Sequence, residues 1–76
     1  MPRIGQIGSM DAMMFRNDRD PPHFHVFGPG FSAKFTIAGV ELLSSKGRVR
    51  RRDIREIEQW GQRHRDELHL NWTLAR

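Results

Sequence analysis

The sequence predicts an α+β fold: a small antiparallel β-sheet of three to five strands, then a C-terminal helical segment open to kinking into two helices. Three observations predict it. Phe31, Ala33, Phe35 and Ile37 alternate with Ser32, Lys34 and Thr36, the period of a strand with one buried and one wet face. Gly28-Pro29-Gly30 separates that run from the apolar run before it, as a hairpin turn does. From about Arg50 the apolar period lengthens to that of a helix.

Taken in order, Ile4 to Ser9 reads as a weak strand and Met10 to Arg16 as a stronger one. Asn17 to Pro22 has turn composition, and Pro21 and Pro22 cannot donate to a ladder, which places them at a strand entrance or an edge. His23 to Phe27 is the next strand, and Phe31 to Ile37, ended by Gly39, its hairpin partner. Val40 to Leu43 is a short further strand and Ser44 to Gly47 a loop. On a helical wheel Ile54, Ile57, Trp60, Gly61, His64, Leu68, Trp72 and Ala75 form one stripe, with Leu70 and Leu74 nearly opposite. Either the helix breaks between about His64 and Leu70 so that both faces meet the core, or the last turns offer leucines to a second chain.

With 76 residues the chain is read as a single domain, 1–76, and a domain of this size buries only about 60% of its unfolded surface. Oligomerisation or a partner is therefore expected to stabilise it. The absence of cysteine fits a reducing compartment. Met1 to Gly8 lacks the apolar segment of a secretion signal, and no apolar run approaches the roughly 20 residues that span a bilayer. The expectation is a cytoplasmic protein without membrane contact. The formal charge is +4, of which +3 lies in residues 47–76, where eight basic residues face five acidic ones.

The densest chemistry is Asn17-Asp18-Arg19-Asp20-Pro21-Pro22-His23-Phe24-His25-Val26. On an extended strand His23 and His25 share one face, Phe24 and Val26 the other. Three chemistries fit the pair. Two imidazoles can converge on a metal ion, with Asp18, Asp20, His64 and His69 as further donors, although no standard ligand spacing links them. They can serve as base and acid on a phosphodiester, since imidazole titrates near physiological pH and same-face rings stand about 6–7 Å apart along a strand. Arg16 or the cluster Arg50, Arg51 and Arg52 then supplies the cation. Or they are structural, with Asn17, Asp18 and Asp20 bracing the turn and an aspartate accepting from His23.

Arg50, Arg51 and Arg52 open the helix, where each positive charge opposes the dipole at a cost of about 0.3–1 kcal/mol. They suit a phosphate or an acidic protein, or simply extend into solvent. Trp60 and Trp72 could stack on bases, but their place on the apolar stripe assigns them to the core.

Phe15-Arg16-Asn17-Asp18 followed by Pro21-Pro22-His23-Phe24-His25-Val26 closely resembles the signature of a small bacterial and phage family, domain of unknown function four-one-six-zero (DUF4160). Leu42-Leu43, Arg51-Arg52 and Trp60, His64, Glu67-Leu68, Asn71-Trp72 and Ala75 are similar too, so the resemblance covers nearly the whole chain. Arg19-Asp20 stands where that family commonly has histidine and asparagine. The resemblance implies the toxin of a type II toxin–antitoxin pair, neutralised by direct contact with an antitoxin of the domain of unknown function two-four-four-two type. Three functions are set against one another. The first is a toxin acting on RNA or translation, as a metal-independent ribonuclease needing no cofactor, with His23, His25 and Arg16 catalytic and Arg50, Arg51 and Arg52 holding phosphate. The second is a non-enzymatic interaction module whose basic patch binds an acidic partner. The third is a DNA-binding autoregulator, for which no helix-turn-helix signal is present.

Overall fold

The apolar alternations of the first half become strands, and the stripe of the second half becomes two helices. The computed structural model describes residues 3–15, 19 and 21–75. Strands β1 (Arg3–Ile7), β2 (Met10–Met13), β3 (His23–Gly28), β4 (Phe31–Thr36) and β5 (Leu42–Gly47) form one antiparallel sheet in the order β1-β2-β3-β4-β5. Helices α1 (Arg51–Arg63) and α2 (Arg65–Ala75) follow. The fold is α+β, as the residue pattern predicts.

The β3–β4 hairpin closes on Pro29-Gly30. Gly28 pairs with Phe31, and Gly30 takes φ +78°, the positive value a Pro-Gly turn requires at its second residue. That turn fixes the register of everything above it: His25 faces Lys34 and His23 faces Thr36. The alternation of β4 is realised in full. Phe31, Ala33, Phe35 and Ile37 are buried, while Ser32, Lys34 and Thr36 are half-buried.

One stretch departs from expectation. The short strand expected at Val40 to Leu43 begins only at Leu42, and Ser44 to Gly47, expected as a loop, continues it as β5. All six of its residues are exposed, so no face is selected and no alternation betrays it; ladder bonds to β4 hold it instead. The strand expected from Met10 to Arg16 ends at Met13, and Arg16 itself lies outside the described residues.

One core joins sheet and helices. Phe24 and Val26 of β3, Phe35 of β4, Ile57 and Trp60 of α1 and Leu68 of α2 are all buried in it. Trp60 reaches Phe24 with ring centroids 5.8 Å apart, and Phe24 stacks on Phe35 at 6.0 Å. Both tryptophans belong to the core, Trp60 at 8% and Trp72 at 4% exposure.

The helical segment breaks at His64 (φ −112°, ψ 19°). Its ring Nδ1–H and its backbone N–H both donate to the Trp60 carbonyl, at 2.8 and 3.1 Å, and its ring stacks on Trp60 at 4.6 Å. The break re-aims α2 so that Leu68 and Trp72 enter the core. It does not bury the opposite side: Leu70 and Leu74 remain 59% and 70% exposed, against the expectation that a kink would bring both faces inward.

Gly61 sits where α1 passes the β4–β5 turn. A Cβ there would stand 2.7 Å from Val40 Cγ1, and Val40 is itself a buried β-branched residue held at φ +51°. Gly61→Ala gains about 1 kcal/mol of helix propensity but overpacks a site with no slack, which costs about 1–3 kcal/mol. Net destabilisation of up to about 2 kcal/mol is expected in urea unfolding; a stabilised variant would show that Val40 yields freely.

Among the described residues no helix is long and apolar enough to cross a membrane.

Candidate functional site

β3 carries two faces of opposite character. Phe24 and Val26 point into the core; His23 and His25 point to the other side, with ring centroids 5.1 Å apart. The shared face expected of the pair is present. The two rings nevertheless live differently. His23 is 5% exposed, and its ring lies 5.2 Å from that of Trp72, delivered by α2. The histidine face is thus not left bare, as a helix confined to one side of the sheet would leave it. Nδ1 of His23 lies 2.8 Å from the Pro21 carbonyl, which can only accept, so the ring nitrogen donates and pins the proline turn to the strand. His25 is half-buried, edge-on to Phe15 at 4.6 Å and stacked with Phe27 at 6.4 Å.

Cross-strand pairing extends this face outward. His25 faces Lys34, Phe27 faces Ser32, Lys34 faces Ser44, and Ser32 faces Lys46. Directly opposed residues share a face. His25, Phe27, Ser32, Lys34, Ser44 and Lys46 therefore line one open basin of about 250 Å³ across β3, β4 and β5, which Ala33 and Ser45 also line. One side of it is aromatic, from His25 and Phe27, with the Phe15 ring packed against both; the other is cationic and hydroxylic.

The electrostatics are unbalanced. Neither Lys34 nor Lys46 has an ion-pair partner among the described residues. Asp11, cross-strand from Phe27, is occupied by Arg3 at 3.3 Å. The lysines are diagonal neighbours, which places their stems about 7–8 Å apart. Two ammoniums at that spacing can bracket one phosphate, each about 2.8 Å from an oxygen.

The arginine cluster lies elsewhere. Arg50 caps α1; its backbone N–H and its Nε both donate to Asp53 Oδ2, at 3.2 and 3.3 Å, and the buried Asp53 carboxylate offsets the positive first turn. Arg51 and Arg52 extend into solvent from that turn. Arg48 and Arg50 line a separate shallow hollow with Pro29 and Gly30, at the turn end of the hairpin. Pro29 is four residues beyond His25, roughly 13 Å along the strand. Arg50, Arg51 and Arg52 do not line the basin beside His25; the lysines do.

Arg16, Asn17, Asp18 and Asp20 lie outside the described residues, so their expected roles receive no geometry. His64 caps α1, and among the described residues no three His, Cys, Asp or Glu side chains come together to hold a metal.

Of the basin residues His25 was expected, and Ser32, Lys34, Ser44 and Lys46 were missed. Ser32 and Lys34 carried a signal: they are the wet phase of β4, and the two-residue turn dictates that this phase continues the histidine face. Lys46 and Ser44 carried none, because their strand is exposed on every side.

The model of one protein family, Domain of unknown function (DUF4160), matches residues 11–73, from β2 into the last turn of α2. No curated protein and no solved structure matches the chain.

Proposed function

This chain belongs to the DUF4160 family, and from that premise we propose that it acts on RNA in the cytoplasm as the toxin of a toxin–antitoxin pair, holding a single strand on the open face of its sheet. One observation carries the reading: two uncompensated ammoniums, two hydroxyls, an imidazole and exposed aromatic surface converge on one basin. Single strands are held by the same combination, cations along the backbone and rings that stack on bases. Phe27, 38% exposed, offers the stacking surface, Lys34 and Lys46 take a phosphate, and Ser32 and Ser44 add donors beside it. His25 is the titratable group at the phosphate and can donate or accept a proton there. His23, sealed under Trp72 and tied to Pro21, positions His25 rather than meeting substrate.

Growth on controlled expression, scored beside binding of a short oligouridylate, tests this. His25→Ala is expected to fold normally, relieve growth inhibition and weaken oligouridylate binding by about tenfold. His23→Ala is expected to lose about 1–3 kcal/mol of stability, because it removes a buried ring and the donor to Pro21. A folded His25→Ala that inhibits growth and binds like the parent refutes the reading.

The second reading, an interaction module with structural histidines, draws on the bond from His23 to Pro21 and on the solvent-directed Arg51 and Arg52. It expects Arg51→Glu with Arg52→Glu to abolish partner binding while His25→Ala changes nothing.

A further inference from the structure

The sheet order leaves β5 with one free edge, and its six residues are exposed. The ladder fixes what that edge presents. Arg48 N–H donates to the Gly30 carbonyl at 3.1 Å, which makes that a bonded pair. Alternation then makes Lys46–Ser32 and Ser44–Lys34 bonded pairs and turns the N–H and C=O groups of Ser45 and Gly47 outward. Exposed Leu42 and Leu43 stand at the start of the same strand.

The charge on this edge selects its occupant. Lys46, Lys34 behind it and Arg48 after it all lack an ion-pair partner among the described residues. A second copy pairing through β5 would bring like charges together, the usual way an edge lysine prevents self-association. An acidic strand meets the opposite condition. We infer that β5 is a docking edge for an extended acidic segment of a partner protein, which adds as a sixth strand. Its open-face side chains stand about 5 Å from those of β5, so its carboxylates reach Lys46 and the basin is closed to phosphate. The docking rests on the edge alone; only its consequence, a blocked nucleotide site, rests on the function proposed above.

The test uses the full, isotope-labelled chain and a capped peptide of about eight residues alternating glutamate and valine, the length of a strand. The peptide is expected to slow amide exchange at Ser45 and Gly47 by about tenfold, leave Ser44 and Lys46 unchanged, and displace oligouridylate. Ser45→Pro, tolerable because that N–H faces out, should weaken peptide binding by about tenfold. The exchange measurement needs no variant and stands if Ser45→Pro misfolds. Equal binding of a lysine–valine peptide, protection at the head of α1 instead of β5, or self-association abolished by Ser45→Pro would each overturn the inference. Peptide protection at Ser45 and Gly47 with no oligouridylate binding anywhere would sustain the edge and retire the nucleotide reading.

Discussion

Replacing Lys34 and Lys46 together with glutamate is expected to lower oligouridylate affinity at least about a hundredfold. Each ammonium makes a charge-assisted hydrogen bond to phosphate worth about 1.5–3 kcal/mol, and two such bonds exceed the roughly 2.8 kcal/mol that a hundredfold represents. Stability should move by less than about 0.5 kcal/mol, because both side chains project from the wet face and neither has an ion-pair partner among the described residues. Salt provides an independent reading. Two cations neutralising phosphate on a single strand give a slope of log K against log salt of about −1.4, at about 0.7 per contact. If Arg48, Arg50, Arg51 and Arg52 were the seat, four contacts would steepen the slope to about −2.8. The double variant should show almost no residual slope. Filter binding or anisotropy across a salt series checks both numbers.

Trp60→Ala is expected to unfold the domain at ordinary temperatures. Trp60 is the point where α1, the sheet and the helix break meet: it lies against Phe24, carries the stacked His64 ring, and rests on β1 at Gly5. A Cβ on Gly5 would stand 2.4 Å from the indole, so the glycine is what admits the ring to the sheet. Truncating a buried tryptophan costs about 3–5 kcal/mol. A domain of this length holds a total of the same order. Loss of the cooperative unfolding transition in circular dichroism is the expected result; a sharp transition near that of the parent would show that α1 is held mainly by other contacts. The effect reaches the site indirectly, because the core face of β3 that Trp60 packs against is the reverse of the face bearing His25.

These two outcomes separate what a reader of the residues can see from what only packing reveals. The alternation of Phe31 to Ile37, the Pro29-Gly30 turn and the stripe through Ile57, Trp60, Leu68 and Trp72 all express burial on one face, and burial leaves a period. The helix break was legible as well, since Leu70 and Leu74 fall off the stripe, although the reason runs the other way: α2 turns to bury Trp72 and leaves those leucines in water. Beyond Leu43, β5 was illegible because an edge strand wet on both sides has no period to display. Reading Ser44 to Gly47 as a loop hid Lys46, and with it the pairing of the two lysines. The cluster Arg50 to Arg52 drew attention instead because its charges are adjacent in sequence. Lys34 and Lys46, twelve positions apart, become neighbours only through the β4–β5 ladder. The histidine pair was readable as a face but not as two environments: the division between sealed His23 and open His25 comes from Trp72, nearly fifty residues away.

The most direct test of the basin is a titration of the isotope-labelled chain with a short oligouridylate at low salt, following backbone amide shifts. Shifts concentrated on Phe15, His25, Phe27, Ser32, Lys34, Ser44 and Lys46 are predicted. Shifts confined to Arg48 through Arg55 at the head of α1, or none at saturating oligonucleotide, would contradict the assignment of the sheet's open face as the place where RNA is held.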